Sequence, residues 1–564
     1  MKNINELAEL KACYSAFGKA RTKRITKHVE ARFKTFRDGG SNPPASIRLY
    51  SRQLLFFKMC QFRTGTSILQ VSRRQHLLVI LTLWTLFAVC PAYCSIYFVA
   101  PDGNDNNIGD INNPFKTIDH AVGLVNAGDT IYLRGGVHYY TTKISTISKS
   151  GQDGNLITLQ NYQNEVPILD FNGVPYGTGS NRGISLTGSY WHFKGFTLRY
   201  APDNGLYVNG SYNIFEQLIA YGNQDTGINL YANASGLPAY NQVINCDSYL
   251  NYDPCTHGGN ADGFGAKGPT PSGGVPPPTY SLGPGNVFRG CRSWNNSDDG
   301  FDLWWASNSV RIENCWAFRN GKNLWGDPCF AGNGQGFKLG QGAGAHIVIN
   351  CMAYEQQHNG FDLNRSHGDT EPNGVTVDNC TGVKNLGKNF NFNNPPAGTI
   401  HVLHNNLSHL GSVTIGTQIV NTYNSWNGFT VTNADFASLD SNFPPITDPN
   451  AYTNANSVGI DQPRGPDGEL PKLRFLRLAA TSLLIDAGID VNLPFEGNAP
   501  DLGAFEHIDG DCQPDGDVDW ADLGCLTSNW LNSSCGTCNG ANFDGIGGVD
   551  FYDFVLMAEN WLKG

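Results

Sequence analysis

The chain has 564 residues, enough for more than one domain, with 66 glycines, 15% charged residues and a formal net charge of −11. The charge is uneven: residues 1–76 carry 16 Lys/Arg against 4 Asp/Glu, whereas the remainder carries 22 against 45. So acidic a body excludes a nucleic-acid binder that works by neutralising phosphates, and it suits calcium.

The first 72 residues show no core-forming period. Arg73-Arg-Gln-His then precedes a 14-residue apolar run, Leu77 to Cys90, and a short small-residue zone to Ser95. That order matches the charged, hydrophobic and cleavage regions of a secretory signal. A membrane span needs about 20 apolar residues, so an anchor with a basic tail is the lesser reading. Residues 1–94 are therefore expected to be a leader and signal peptide of an exported protein.

From Ile96 a strand and a turn-rich loop are expected. Phe115, Ile118, Val122 and Val125 have helical spacing, which predicts an amphipathic helix over 114–126 that caps the open end of a stack of coils. Residues 127–136 then open a series of related units: N204-G-L-Y-V, T226-G-I-N-L, D262-G-F-G-A, D299-G-F-D-L, Q335-G-F-K-L, N359-G-F-D-L and K388-N-F-N-F. Gly263, Gly300 and Gly336 lie 37 and 36 residues apart. Side chains alternate along a strand, so the residues flanking the central one point inward and the central one points out. Phe264, Phe301 and Phe337 are thus interior, while Asp302, Lys338 and Asp362 share an outer column. Cys246, Cys291, Cys315, Cys351 and Cys380 each stand five residues before an amide: Asn251, Asn296, Asn320, Gln356 and Asn385. A stack of amides satisfies buried turn backbone. Irregular repeats of this kind predict an all-β fold, a right-handed parallel β-helix over 95–435; a propeller would repeat at a longer, steadier period.

Residues 436–508 lose the repeat and are expected to close the helix against its last coils, with Asp486 and Asp501 in turns. The tail, 509–564, is expected to be a small α-helical module. It holds two twelve-residue loops, each followed by a short apolar helix ending in Trp-Leu 31 residues apart. Asp511, Asp515, Asp519 and Asp522 in one loop, and Asn542, Asp544, Asp550 and Asp553 in the other, have the ligand spacing of calcium loops. Gln513 stands where the shorter Asp or Asn is expected and Ile546 where an oxygen ligand is expected, which counts against calcium in the second loop. This pair resembles type I dockerin repeats, and the resemblance implies a calcium-bearing module that docks on a cohesin-like partner. Export permits disulfides, with Cys255 and Cys329 one candidate pair and Cys512, Cys525, Cys535 and Cys538 a second group.

The chemistry concentrates between Asp262 and Lys338. Asp262, Asp298, Asp299 and Asp302 converge from adjacent coils, and carboxylates so placed repel one another unless a cation sits among them. Oxygen donors without His or Cys favour Ca²⁺. Ordinary Asp-Gly turns are the bland alternative. Lys338, one coil from Asp302, would have its pKa lowered by a bound cation and could then act as a general base. His257, His346, His358 and His367 show no metal-ligand spacing with one another. Lys267 and Arg365 face outward and are candidates for holding substrate carboxylates, although a plain surface role is the commoner fate.

N260-A-D-G-F-G-A-K, G283 through W304 and G334-Q-G-F-K-L-G together resemble family 9 polysaccharide lyases, the β-helical pectate lyases, over Tyr97 to about Glu506. The resemblance implies that Asp262, Asp298, Asp299 and Asp302 hold one Ca²⁺ and that Lys338 removes the C5 proton of a galacturonate in a monomeric enzyme. A Pro/Gly-rich stretch, 268–280, departs from the usual loop. A polygalacturonase-type hydrolase, with an acid and a base carboxylate, and a noncatalytic carbohydrate-binding β-helix remain the competing readings.

Overall fold

The computed structural model describes residues 94–176, 181–269, 281–364, 372–532, 538–543 and 548–561. The expected leader and signal, Arg365, His367, Asp544, Ile546, Cys535 and most of the 268–280 stretch lie outside these residues.

Among the described residues, three parallel sheets of 12, 10 and 9 strands run the length of a β-helix. Each strand pairs with the equivalent strand one coil away. In the third sheet Phe264 is in register with Phe301, Phe301 with Phe337, Phe337 with Phe361, and Phe361 with Phe390. Their rings stack inside the coil at centroid separations of 4.9, 4.9, 4.8 and 4.8 Å. The glycine of each unit is required by space. A Cβ on Gly300 would lie 2.5 Å from the carbonyl oxygen of Gly336, and one on Gly336 would lie 2.6 Å from that of Gly360.

The amide ladder is present and longer than the cysteine spacing suggests. Asn223, Asn251, Asn296, Asn320, Gln356 and Asn385 each accept, through the side-chain oxygen, a backbone N–H of the preceding coil. The five ladder cysteines are buried thiols. The residue before each is Asn or Gly in the left-handed region, for instance Asn245 (φ 52°) and Gly290 (φ 64°). This explains the Asn-Cys and Gly-Cys pairs that the sequence repeats.

The first strand is Ile96–Val99, paired with Thr130–Leu133, so the sheets begin before the helix rather than after it. The helix itself is Ile118–Leu124, shorter than the periodicity suggests, with Thr117 as N-cap and Ile118 and Ala121 in the main core. The last paired strand is Ile419–Thr422.

The end of the 436–508 segment packs against the last coils as expected: Ile489 N–H donates to Asn405 Oδ1, Gly503 N–H to Asn405 O and Ala504 N–H to Thr381 Oγ1. Residues 436–478 extend the cover beyond those coils. They lie along the outer face of the second sheet, covering Tyr249, Trp294, Phe318 and Tyr354 with Phe436, Phe443, Phe475 and Leu478. The buried Arg292 pairs with Asp247 at 2.7 Å and donates to the carbonyls of Ile460 and Gln462. Large outward aromatics on four successive coils need a cover, and the segment supplies one along the flank. Asp486 and Asp501 do serve turn backbone, accepting from Asn498, Ala499 and His507 N–H groups.

The tail has an apolar cluster of its own, built on Val518, Leu526, Val549 and Met557. Its helices are Trp520–Ser528 and Phe551–Glu559, each with an Asp N-cap and a second Asp three residues on completing the capping box. Cys512 and Cys525 form a disulfide, whereas Cys255 and Cys329 are free exposed thiols, contrary to the pairing expected for them. Lys472 meets Asp517 at 2.6 Å, joining tail to body.

A second ladder runs through Asn213, Asn241 and Asn286, and on later coils two imidazoles do the amides' work. His346 Nδ1 accepts from Val310 N–H at 3.2 Å and His401 Nδ1 from Val375 N–H at 2.9 Å. Burial pushes their pKa values down to about 3 and about 4. The unfolded chain therefore binds more protons below about pH 6.5, so this stability is complete above that pH and is lost as pH falls through the folded values. Urea midpoints measured from pH 7 to pH 4.5 should fall, and His346→Asn should flatten the decline; an unchanged slope in the variant would remove the imidazole from this role.

Candidate active site

The outer column of the third sheet reads Tyr207, Asn229, Gly265, Asp302, Lys338, Asp362 and Asn391 in successive coils. Asp302 and Lys338 are direct register partners, as the sequence predicts. Just before this column, the residues preceding each glycine place Asp262, Asp299, Gln335 and Asn359 in line, and their backbones bridge coil to coil: Gly263 N–H donates to Asp299 O and Gly300 N–H to Gln335 O.

The structure brings all four predicted aspartates together and buries them. Asp262 Oδ1 accepts from Asp299 N–H at 3.1 Å, and its Oδ2 accepts from Thr226 Oγ1 at 2.9 Å. Asp298 Oδ1 accepts from Asn333 N–H at 2.6 Å and Asp299 Oδ1 from Gln335 N–H at 2.7 Å. Lys338 Nζ lies 2.8 Å from Asp299 Oδ2 and 3.5 Å from Asp302 Oδ2, with the Trp304 ring 4.7 Å away. Donor oxygens of Asp262, Asp298 and Asp299 all lie within 4.8 Å of one another. Asp302 Oδ1 is buried and has no hydrogen-bond partner. A cage of oxygen donors with an orphaned carboxylate oxygen fits a hard divalent cation.

Lys267 is not the surface charge that its outward position suggests. Its side chain is 11% exposed, and Nζ sits 2.5 Å from Asp262 Oδ2 and 2.9 Å from Asp302 Oδ2. The alternation rule gives its face but not its reach: a four-carbon stem returns across Gly265, which has no side chain to block it. Asp225 is a further acid that sequence reasoning missed. It occupies the position of Asp298 two coils earlier, in D225-T-G-I, and burial pushes its carboxyl up to about 7.

The electrostatics follow from this arrangement. Burial raises Asp262 to about 6, with repulsion from Asp302 and Asp299 adding and Lys267 opposing. Burial likewise raises Asp298 and Asp299. Asp302 alone is held below its ordinary value, because both lysines outweigh its burial. Lys338 is raised well above its ordinary value: its burial is overcome by Asp299, Asp302, Asp298 and Asp262. Without a cation, then, Lys338 is held as an ammonium; the sequence predicts a neutral amine only beside a bound cation.

Comparison with known proteins now bears on the site. Residues 97–406 match the family model described as Pel9A-like, right handed beta helix region. This chain belongs to that family. It is 40% identical over 422 residues to pectate lyase L of Dickeya dadantii, covering 73% of this chain and 90% of that one. The crystal structure of pectate lyase Pel9A superimposes with a TM-score of 0.63 at 40% identity, covering 73% of this chain and 96% of Pel9A. A rhamnogalacturonan lyase gives 0.55 at 28% identity, over 68% and 96% of the two chains. This member of the Pel9A-like family is a polysaccharide lyase.

Removing the Lys267 ammonium leaves Asp262 and Asp302 buried with one fewer counter-charge. Lys267→Met should therefore destabilise the metal-free chain by about 3 kcal/mol. Added calcium should recover most of that loss, a gain read by thermal unfolding with and without the ion. Equal calcium responses in variant and wild type would refute this coupling.

Proposed function

We propose that this lyase acts on polygalacturonate, depends on calcium, and works by β-elimination with Lys338 as the base. The observation that carries the reading is the register pair Asp302–Lys338 set within the buried aspartate cage. The printed names of the relatives, pectate lyase L and pectate lyase Pel9A, support the substrate.

Asp262, Asp298, Asp299 and Asp302 would hold the ion. When bound, calcium supplies positive charge against the uronate carboxylate, which acidifies the adjoining C5–H, and cancels the aspartate field that otherwise keeps Lys338 charged. The Lys338 amine takes the C5 proton. The electron pair forms the C4–C5 double bond as the C4–O bond breaks, leaving a 4,5-unsaturated sugar, and water protonates the departing oxygen. The Trp304 ring lies 4.7 Å from Nζ, on the proton-accepting group's apolar side. Lys267, already paired to Asp262 and Asp302, holds those carboxylates in place.

Secretion fits the apolar run at 77–90 and the acidic body. The tail's loops support a calcium-loop reading. Asp511 accepts from Gly516 and Asp515 N–H groups, and Asp522 closes the loop on Gln513 and Asp519. Asp519 and Asp550 cap the two helices. Trp520, Phe551 and Tyr552 are exposed at matching helix starts and are the natural contact points for a cohesin-like partner.

Incubation with polygalacturonate should raise ultraviolet absorbance from the unsaturated product, and chelator should stop it. Lys338→Ala should lower turnover by roughly 10²–10⁴-fold, while calcium binding persists. Lys338→Arg should fail as well, because guanidinium does not surrender its proton. Saturated products, or full activity in either variant, would contradict the mechanism. Faster cleavage of rhamnogalacturonan than of polygalacturonate would move the substrate to the other neighbour's class.

A further inference from the structure

We propose that His257, Asp327 and Cys329 form a second metal site, for a zinc-type divalent cation, distinct from the aspartate cage. Three donor atoms, an imidazole nitrogen of His257, an Asp327 carboxylate oxygen and Cys329 Sγ, lie within 4.8 Å of one another. His257 comes from a loop some 70 residues from the other two, so this grouping is invisible as a spacing motif. His257 Nδ1 and Asp327 Oδ2 are already 3.0 Å apart, close to the edge of a tetrahedral donor set. Around a zinc-type ion the donors stand about 3.3–3.8 Å apart, so binding would draw the three together by about an ångström.

The donor set selects the ion. A thiolate, an imidazole and one carboxylate are the ligands of zinc and its neighbours, whereas calcium takes oxygen donors alone. A fourth position is left for water. Binding displaces the Cys329 thiol proton and leaves the His257 proton on Nε2.

The donors are also braced from behind, as metal ligands commonly are. Tyr252 donates its hydroxyl to Asp327 Oδ2 at 2.6 Å, and Cys329 N–H donates to Asp327 Oδ1 at 2.8 Å. Asn323 clasps the Asp327 backbone from both sides, accepting from N–H at 3.0 Å and donating to the carbonyl at 2.7 Å. His257 itself is tied across by its carbonyl, which accepts from Ala331 N–H at 2.8 Å.

The site joins the two loops on which the cage depends. One loop continues through Gly258, whose carbonyl accepts from Ser297 Oγ, into Asp262. The other continues to Asn333, whose N–H fixes Asp298. An ion here would hold these two loops, and through them the backbone that supports Asp262 and Asp298, against each other.

The test uses the full chain, stripped of metal and then kept in excess calcium so that the cage is filled. Titration with Co²⁺, followed by displacement with Zn²⁺, should show one equivalent bound with a thiolate-to-cobalt absorption band. Cys329→Ser should abolish that band. His257→Gln should weaken binding at least about tenfold, and Tyr252→Phe should weaken it by about the same factor through the brace. Lys338→Ala should bind as wild type does. Zinc should raise the unfolding temperature in a concentration-dependent way, and only with the triad intact. Cobalt bound without a thiolate band, a band that survives Cys329→Ser, or a Cys255–Cys329 disulfide in the non-reduced peptide map would each overturn the site.

Discussion

Four buried carboxylates face two buried ammoniums on one side of this β-helix, and the imbalance of two charges governs the rest. Buried charge is tolerated only when paired, so Asp262, Asp298, Asp299 and Asp302 cannot all remain ionised with Lys267 and Lys338 alone. The chain meets the deficit partly by raising three of the four acids. A divalent cation would meet it in full. In the proposed mechanism the same field sets the base: with the acids uncompensated Lys338 holds its proton, and compensation of the acids would free it. In that mechanism, cation binding and the readiness of the base are one electrostatic event.

Such a cage can exist because the scaffold is stiff in the right direction. Each coil repeats the last at one-strand spacing, so a residue's neighbours along the column are fixed by register and not by loops. Stacked phenylalanines inside, amide and imidazole ladders at the turns, and glycines where coils touch leave little freedom to relax away from the strained charges. The flanking segment, locked through Arg292 to Asp247 and to the Ile460 carbonyl, stiffens the second sheet from outside.

Much of this is legible from the chain itself. The repeat of polar residue, glycine and aromatic sets the register that pairs Asp302 with Lys338, and the Cys-to-amide spacing finds most of the ladder. The rest depends on information that spacing does not contain. Lys267 escapes because alternation predicts the side of a strand and says nothing of how far a long side chain reaches. That residues 436–478 also cover the flank escapes a reading of the inward positions, because that cover is set by the outward Tyr249, Trp294 and Tyr354. His346 and His401 replace asparagine in a ladder, which no residue-type repeat reveals. Asp225 stands in the same repeated unit and is within reach of the pattern. His257 and Asp327 become neighbours only when two loops fold together.

The most direct measurement is the titration of the Lys338 amine itself, by nitrogen-detected NMR of lysine-labelled chain, with the signal assigned by its loss in Lys338→Ala. The coupling of base to cage requires an amine above the ordinary lysine range in the metal-free chain, and a pKa that falls by several units when calcium is added. A Lys338 pKa that stays the same with and without calcium would contradict it, and with it the assignment of the aspartates and the lysine to one catalytic unit.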